Sequence, residues 1–194
     1  VPPIQGTTAN YLNTETTAQR ELKIPDDFGV KDSVVLGFIK ELLNFLQLKN
    51  LDIVTTGLLE SNMGYFGLLP EDTLDHINTF MNRDLTSLGR TIESSNGRSV
   101  IILRSDMNNT LTEMATAFHE IGHALWNDLK NDLLEKNPAI IARLKDAFKK
   151  HPKYNTYLSS QRGNESKAFN EFFADQVAKQ ALKRFRNRKP KNIS

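Results

Sequence analysis

The sequence contains no cysteine in its 194 residues. Disulfide bonds and thiolate metal ligands are therefore excluded, which leaves histidine and carboxylate side chains as the available metal ligands. The sequence also has no run of about 18 apolar residues, which argues against a membrane-spanning helix. Internal repeats and low-complexity tracts are absent too, so neither a solenoid nor a repetitive disordered chain is indicated.

Charge of one sign is clustered only near the C-terminus. The chain carries 25 basic and 23 acidic residues, but six of the basic residues lie in the acid-free segment 183–191. The other 19 basic residues against 23 acidic ones leave a net charge of −4 for the rest of the chain. A short basic run without a recognition motif favours a solvated terminus over a contact with nucleic acid or anionic lipid.

Length and a hydrophobic content of 39% suit one domain that buries a full core. Residues 1–23 are rich in proline, threonine and asparagine and are predicted to form an arm or linker. We assign residues 24–186 to a single domain and residues 187–194 to a basic tail, and we expect a monomer. The chain begins with Val1, which favours a processed or trimmed form from which any signal peptide has been removed.

Hydrophobic spacing predicts helices around a small sheet, which is an α+β class. The predicted helices lie at 33–48, within 70–85, from about 110, at 137–151 and at 166–184, and the predicted strands at 51–56 and 99–104. The strand at 99–104 follows the turn at 94–97. We expect either an edge strand that binds an extended substrate through Val100, Ile101 and Ile102, or an ordinary buried strand.

Five consecutive residues carry the clearest chemistry: His119, Glu120, Ile121, Gly122 and His123. On an α-helix the two histidines lie on the same face, where both imidazoles can bind one metal ion. Glu120 can reach a water bound to that ion, as in zinc hydrolases. The alternative is an ordinary amphipathic helix with two histidines on its polar face.

The surrounding residues favour a metal site. Thr110 and Glu113 form a capping box that predicts a helix start near Thr110. Apolar residues then recur at helical spacing, so the histidines lie at the edge of a stripe that faces a core. Gly122 inside a helix costs about 1 kcal/mol relative to alanine, which predicts the close approach of another backbone or of neighbours of the metal site.

A catalytic zinc ion usually has three protein ligands and a fourth position open to water. Glu171 and Asp175 are the best candidates for the third ligand, one turn apart on the predicted helix at 166–184. One carboxylate could bind zinc while the other accepts a hydrogen bond from a ligand histidine; alternatively, both are solvated. His151, which lies among lysines, and His76 are interpreted as surface residues.

His-Glu-x-x-His followed by a helix with Glu-x-x-x-Asp resembles the gluzincins, thermolysin-like zinc peptidases whose third ligand is a glutamate. Glu171 follows His123 by 48 positions, a small residue precedes His123, and the string Glu-Phe-Phe-Ala begins at Glu171. These features are similar to the group that contains the anthrax lethal factor catalytic domain and the secreted Pro-Pro endopeptidases. The similarity covers about residues 110–182.

The resemblance implies a zincin-like metallopeptidase fold with a Zn²⁺ cofactor. It implies the following site residues: His119, His123 and Glu171 as zinc ligands, Glu120 as general base and Asp175 as the acid one turn after the glutamate ligand. The family places a transition-state-stabilising tyrosine seven residues before that glutamate, where this chain has Asn164. Tyr157 or Tyr154 could take this role, or both could be packing residues.

These features predict a zinc-dependent endopeptidase that cleaves a protein substrate, with Glu120 as the general base. The resemblance implies a secreted protease or a bacterial toxin or effector domain. A catalytically inactive zinc-binding module of the same fold is the alternative, although zinc binding alone does not require Glu120. A nucleic-acid-associated protein acting through the basic tail is a second alternative.

Overall fold

A computed structural model of the chain describes residues 21–84 and 86–191. Its helices are α1 (Ser33–Leu46), α2 (Thr56–Ser61), α3 (Leu74–Asn82), α4 (Thr110–Lys136), α5 (Pro138–Lys149), α6 (Tyr154–Ser160) and α7 (Glu165–Phe185). Its strands are β1 (Leu51–Thr55), β2 (Gly89–Glu93) and β3 (Ser99–Leu103), and two short 3₁₀ segments span Met63–Leu68 and Glu71–Thr73. The α+β prediction is confirmed. The predicted N-terminal arm falls, except for residues 21–23, outside the described residues.

The three strands form a mixed sheet in the order β1-β3-β2. β1 runs parallel to β3 with Leu51 opposite Ser99, and β2 runs antiparallel to β3 with Gly89 opposite Leu103. β3 is therefore the central strand, and β2 is an edge strand. The prediction that 99–104 forms a substrate-binding edge is wrong, because Val100, Ile101 and Ile102 are fully buried.

Burial on both faces explains why β3 is apolar at nearly every position. Ile101 and Leu103 pack into one core together with residues of α1, α4 and α7. Val100 and Ile102 pack into a second core on the other face, together with Ile77 and other residues of α2 and α3. An edge strand that faces solvent on one side would instead alternate apolar and polar residues.

α4 begins at Thr110, as predicted, but the residue that caps it differs from the prediction. Asn109 is the N-cap, and its side-chain oxygen accepts a 3.0 Å hydrogen bond from the backbone N–H of Thr112. The hydroxyl of Thr110 instead donates to Asp32, 2.8 Å away, at the start of α1. Asparagine caps helices at least as well as threonine, so the start position is unchanged.

α4 and α7 pack along each other, and their backbones come close at Gly122. The sequence predicted such an approach from the presence of a glycine inside the helix. A Cβ at Gly122 would lie 2.8 Å from the Cα of Ala174 and 2.9 Å from its carbonyl oxygen. Such distances leave no room for a side chain. The contact brings the histidine-bearing turn of α4 against the acidic turn of α7.

Part of the basic tail packs back onto α1. Arg188 forms an ion pair with Glu41, and the backbone N–H of Lys191 donates a 3.1 Å hydrogen bond to the same carboxylate. Burial of Glu41 would raise its pKa, but these bonds outweigh burial and lower it. The prediction of a solvated tail is therefore wrong for the part up to Lys191, which contacts α1.

Within the described part of the chain, every helix is too short or too polar to span a lipid bilayer.

Candidate metal centre

Two histidines of α4 and a glutamate of α7 bring their donor atoms together. The Nε2 atoms of His119 and His123 are 3.2 Å apart. Glu171 places one carboxylate oxygen 3.1 Å from the first and the other oxygen 3.2 Å from the second. The helical spacing predicted that the histidines would be neighbours, and the packing of α7 on α4 adds the carboxylate.

These distances fit a metal ion. Nitrogen and oxygen ligands bound tetrahedrally to zinc at about 2.0–2.1 Å lie about 3.3 Å from one another. A carboxylate oxygen of Glu120 also lies within 4.8 Å of the histidine nitrogens. Glu171 is nearer, at 3.1 and 3.2 Å, and Glu120 is held by another partner. His119, His123 and Glu171 are therefore the residues that could hold the ion.

The carboxylates around His119 favour a positive charge at this point. The Nδ1 of His119 is 2.7 Å from Asp175 and donates to that carboxylate, so in the neutral ring Nε2 carries a lone pair directed at Glu171. Two electron-rich atoms approach this closely only when a proton or a metal ion lies between them. Burial would lower the pKa of His119, but its bonds with Asp175 and Glu171 raise it to about 10.

Asp175 connects the histidine to a tyrosine. The Tyr157 hydroxyl on α6 donates a 2.5 Å hydrogen bond to the second oxygen of the Asp175 carboxylate. Burial and this bond raise the pKa of Tyr157 above its usual value, so its hydroxyl remains a donor. Asp175 thus accepts one hydrogen bond from the tyrosine and one from His119, which orients the imidazole.

Glu120 is buried beside the edge strand β2. Its side chain is held 2.9 Å from the Thr91 hydroxyl, which lies at the same distance from the Glu120 carbonyl oxygen. Only one hydroxyl proton is available for the two acceptors. Burial raises the pKa of Glu120, and this effect exceeds the opposing influence of His119 and His123. The carboxyl group therefore binds a proton more readily than that of an exposed glutamate does.

A cleft of about 890 Å³ opens over these residues. One wall is the edge strand from Gly89 to Glu93, and the opposite wall is α7, including Lys167 and Asn170. A Cβ at Gly89 would lie 3.1 Å from the Cγ of Glu120, so this glycine lets β2 approach α4 closely. His119, Glu120, His123 and Glu171 all line this cleft.

Other residues considered from the sequence have different positions. Asn164 is the N-cap of α7, with its side-chain oxygen accepting from the N–H of Lys167 at 3.0 Å. Tyr154 donates to Glu165 at 3.2 Å, away from the cluster. His76 is exposed on α3, in agreement with its interpretation as a surface residue. His151 is half-buried, with its ring against Phe172, and it lies outside the cluster of donor atoms.

The sequence interpretation missed β2, and with it Gly89 and Thr91. A pattern for it existed, because a turn at 94–97 before one strand implies a hairpin partner on its other side. The two β-branched residues Thr91 and Ile92 lie there.

No protein-family model, curated protein sequence or solved structure matches this chain. The geometry of the site is therefore the basis for inferring its chemistry.

Proposed function

We propose that the protein is a zinc-dependent endopeptidase that hydrolyses peptide bonds of a protein substrate. The supporting observation is the convergence of His119, His123 and Glu171 at 3.1–3.2 Å beside a buried glutamate that is not needed as a ligand. Two histidines and one glutamate are a ligand set of catalytic zinc that leaves the fourth position open. The extracellular or host-translocated location of such an enzyme is part of the proposal and is based on the resemblance alone.

The residues around the cluster have separate roles in this proposal. Zinc bound there would lower the pKa of a coordinated water and polarise the substrate carbonyl. Glu120 accepts the proton of the attacking water and delivers it to the leaving amine, a use that suits a carboxyl group whose pKa is raised by burial. Thr91 holds the carboxylate in place, while Asp175 fixes the tautomer and orientation of His119.

Substrate is proposed to bind along β2 rather than β3. β2 is an edge strand, and its residues Gly89, Arg90, Thr91 and Glu93 line the cleft directly beside Glu120. The free edge of a strand can pair with an extended peptide through backbone hydrogen bonds. Such pairing would place a peptide carbonyl between β2 and α7, where the ligands converge.

Substitution of Glu120 by glutamine tests the proposal. Zinc content is expected to remain near one ion per chain, whereas hydrolysis of a randomised peptide library is expected to fall by about 10²–10⁴-fold because the general base is lost. Glu135→Gln is the matched control, since Glu135 lies exposed on the same helix. Retained hydrolysis in the Glu120 variant would refute the mechanism. Stoichiometric zinc without hydrolysis in the unsubstituted protein would favour the inactive zinc-binding module.

A further inference from the structure

A second groove continues from the metal cleft along α7. It has a volume of about 1230 Å³ and shares Asp175 and Ala178 with the cleft. On α7, Asp175 is followed by Lys179 and Leu182 at intervals of four and three residues, so these side chains lie on one face of the helix, and Arg186 caps its C-terminal end. The face that carries the acids of the metal centre therefore becomes basic further along the helix.

Four exposed cations line this groove: Lys153, Lys179, Lys183 and Arg186. Among the described residues, no carboxylate lies within the 4.0 Å salt-bridge distance of any of them, whereas Arg188 in the same groove is paired with Glu41. The acid in the described lining is Asp175, which is already bound to His119 and Tyr157. The groove thus carries positive charge without a partner within the described part of the protein.

The floor between these cations is apolar. Leu111 is 61% exposed and Val34 is 43% exposed, and the half-buried side chains of Met114 and Leu182 lie beside them. Exposed apolar surface rimmed by charge is typical of a binding surface. A complementary ligand would present carboxylates to the cations and apolar side chains to the floor.

We propose that this groove selects substrates with acidic and apolar residues on one side of the cleaved bond. The inference rests on the proposed endopeptidase function. From Asp175, Lys179 lies about 6 Å and Arg186 about 16 Å along the helix axis. An extended peptide advances about 3.3 Å per residue, so these cations face positions about two to five residues beyond the peptide residue that lies over Asp175.

The shape of the groove favours a peptide over other polyanions. It is continuous with the cleft, so a bound chain can pass from the groove to the candidate metal centre, which a lipid surface cannot do. Its phenylalanines Phe38, Phe118 and Phe185 are buried and present no face on which nucleic-acid bases could stack. A flexible acidic peptide can follow the groove into the metal centre.

Two fluorogenic decapeptide series test the proposal. Both series share a central bond that a randomised library has shown to be cleaved. On one side of that bond, the first series has alternating glutamate and leucine. The second series has alternating glutamine and leucine there. Each series is made with the alternating segment on either side. The unsubstituted protein is expected to cleave one glutamate series with a kcat/KM about tenfold above its glutamine counterpart, since several weak ion pairs add up. High salt should reduce this preference.

The variant Lys179→Glu/Lys183→Glu/Arg186→Glu is expected to lose or reverse the preference. The matched control Lys23→Glu/Lys49→Glu/Lys145→Glu makes the same change in net charge at exposed lysines outside the groove and should retain it. Equal kcat/KM for the two series in the unsubstituted protein would overturn the proposal. Binding of phosphatidylserine vesicles or a single-stranded RNA through the same three cations, without a peptide preference, would overturn it as well.

Binding measurements separate this inference from the proposed function. Two fluorescein-labelled decapeptide series, one of alternating glutamate and leucine and one of alternating glutamine and leucine, are titrated into the Glu120→Gln protein, so the measurement requires neither cleavage nor a known cleavage site. Tighter binding of the glutamate series, lost in the groove variant, would support the groove even if the unsubstituted protein cleaved nothing. Equal binding of both series would overturn it even if hydrolysis were robust.

Discussion

Gly122 and Ala174 bring the backbones of α4 and α7 into direct contact, because a Cβ at Gly122 would lie 2.8 Å from the Cα of Ala174. Gly122 immediately precedes His123, and Ala174 immediately precedes Asp175. The separation of the two helices at the candidate metal centre is therefore set by a residue without any metal-binding atom.

Gly122→Ala is expected to destabilise the protein and weaken metal binding. Alanine favours a helix by about 1 kcal/mol, but overpacking against α7 costs about 1–3 kcal/mol and moves Glu171 away from the histidines. Urea unfolding and zinc titration measure the two effects. Gly67→Ala is the control, since a Cβ there meets nothing within 4 Å. Unchanged stability and affinity would show that the contact relaxes without cost.

Glu171→Ala is expected to weaken zinc binding more than any substitution outside the ligand set. The variant loses a ligand and leaves the Nε2 atoms of His119 and His123, 3.2 Å apart, without the carboxylate that faces them both. Competition with a chromogenic chelator gives the affinity. Normal stoichiometry and affinity would remove Glu171 from the site.

Asp175→Asn is expected to reduce zinc affinity by about 10- to 100-fold, the usual cost of removing the hydrogen-bond partner of a ligand histidine. The amide is nearly the same size but no longer carries the charge that favours the orientation of His119. Asp132→Asn, an exposed acid on α4, serves as the control. Equal affinities of the two variants would exclude a role for Asp175.

Tyr157→Phe distinguishes two roles of the tyrosine. The 2.5 Å bond to Asp175 predicts a positioning role, so zinc affinity should fall together with peptidase activity. A tyrosine that instead stabilised the oxyanion would lower kcat and leave zinc affinity unchanged. Chelator competition and peptide kinetics on the same samples decide between them.

Zinc binding is expected to release about one proton per ion at about pH 7.5. Without zinc, the pKa of His119 is raised to about 10, so the ring is protonated below about pH 10. Zinc must displace this proton in order to bind. Zinc affinity should therefore rise as pH increases towards 10 and fall as pH decreases. Calorimetry in buffers of different ionisation enthalpy measures the proton release. Heats that do not depend on the buffer would contradict the expected protonation state.

The site residues that are close in sequence could be predicted because helical geometry relates them directly. A spacing of four residues places His119 with His123, and Glu171 with Asp175, on common helix faces. Gly122 also predicted the backbone contact, because a glycine inside a helix has an energetic cost that close packing explains. The capping residue was misassigned because Asn109 and Thr110 are both good caps and only the backbone geometry distinguishes them.

Long-range relationships could not be predicted in the same way. The apolar run 99–104 suits an edge strand with one buried face or a central strand with two, and only the pairing with both β1 and β2 makes it central. Thr91 and Glu120 are 29 residues apart, and Arg188 and Glu41 are 147 residues apart, so no local periodicity connects them.

The sequence by itself determined the class of the fold, the helices that carry the site and the side chains able to bind a metal ion, because local periodicity and residue chemistry control these properties. The tertiary structure alone decided which strand forms the edge beside the cleft. It also decided which carboxylate meets both histidines and which cations line one groove. These choices depend on how α4, α7 and β2 pack against one another. Packing brings together residues that are far apart in the sequence, and no local sequence pattern indicates which of them will meet.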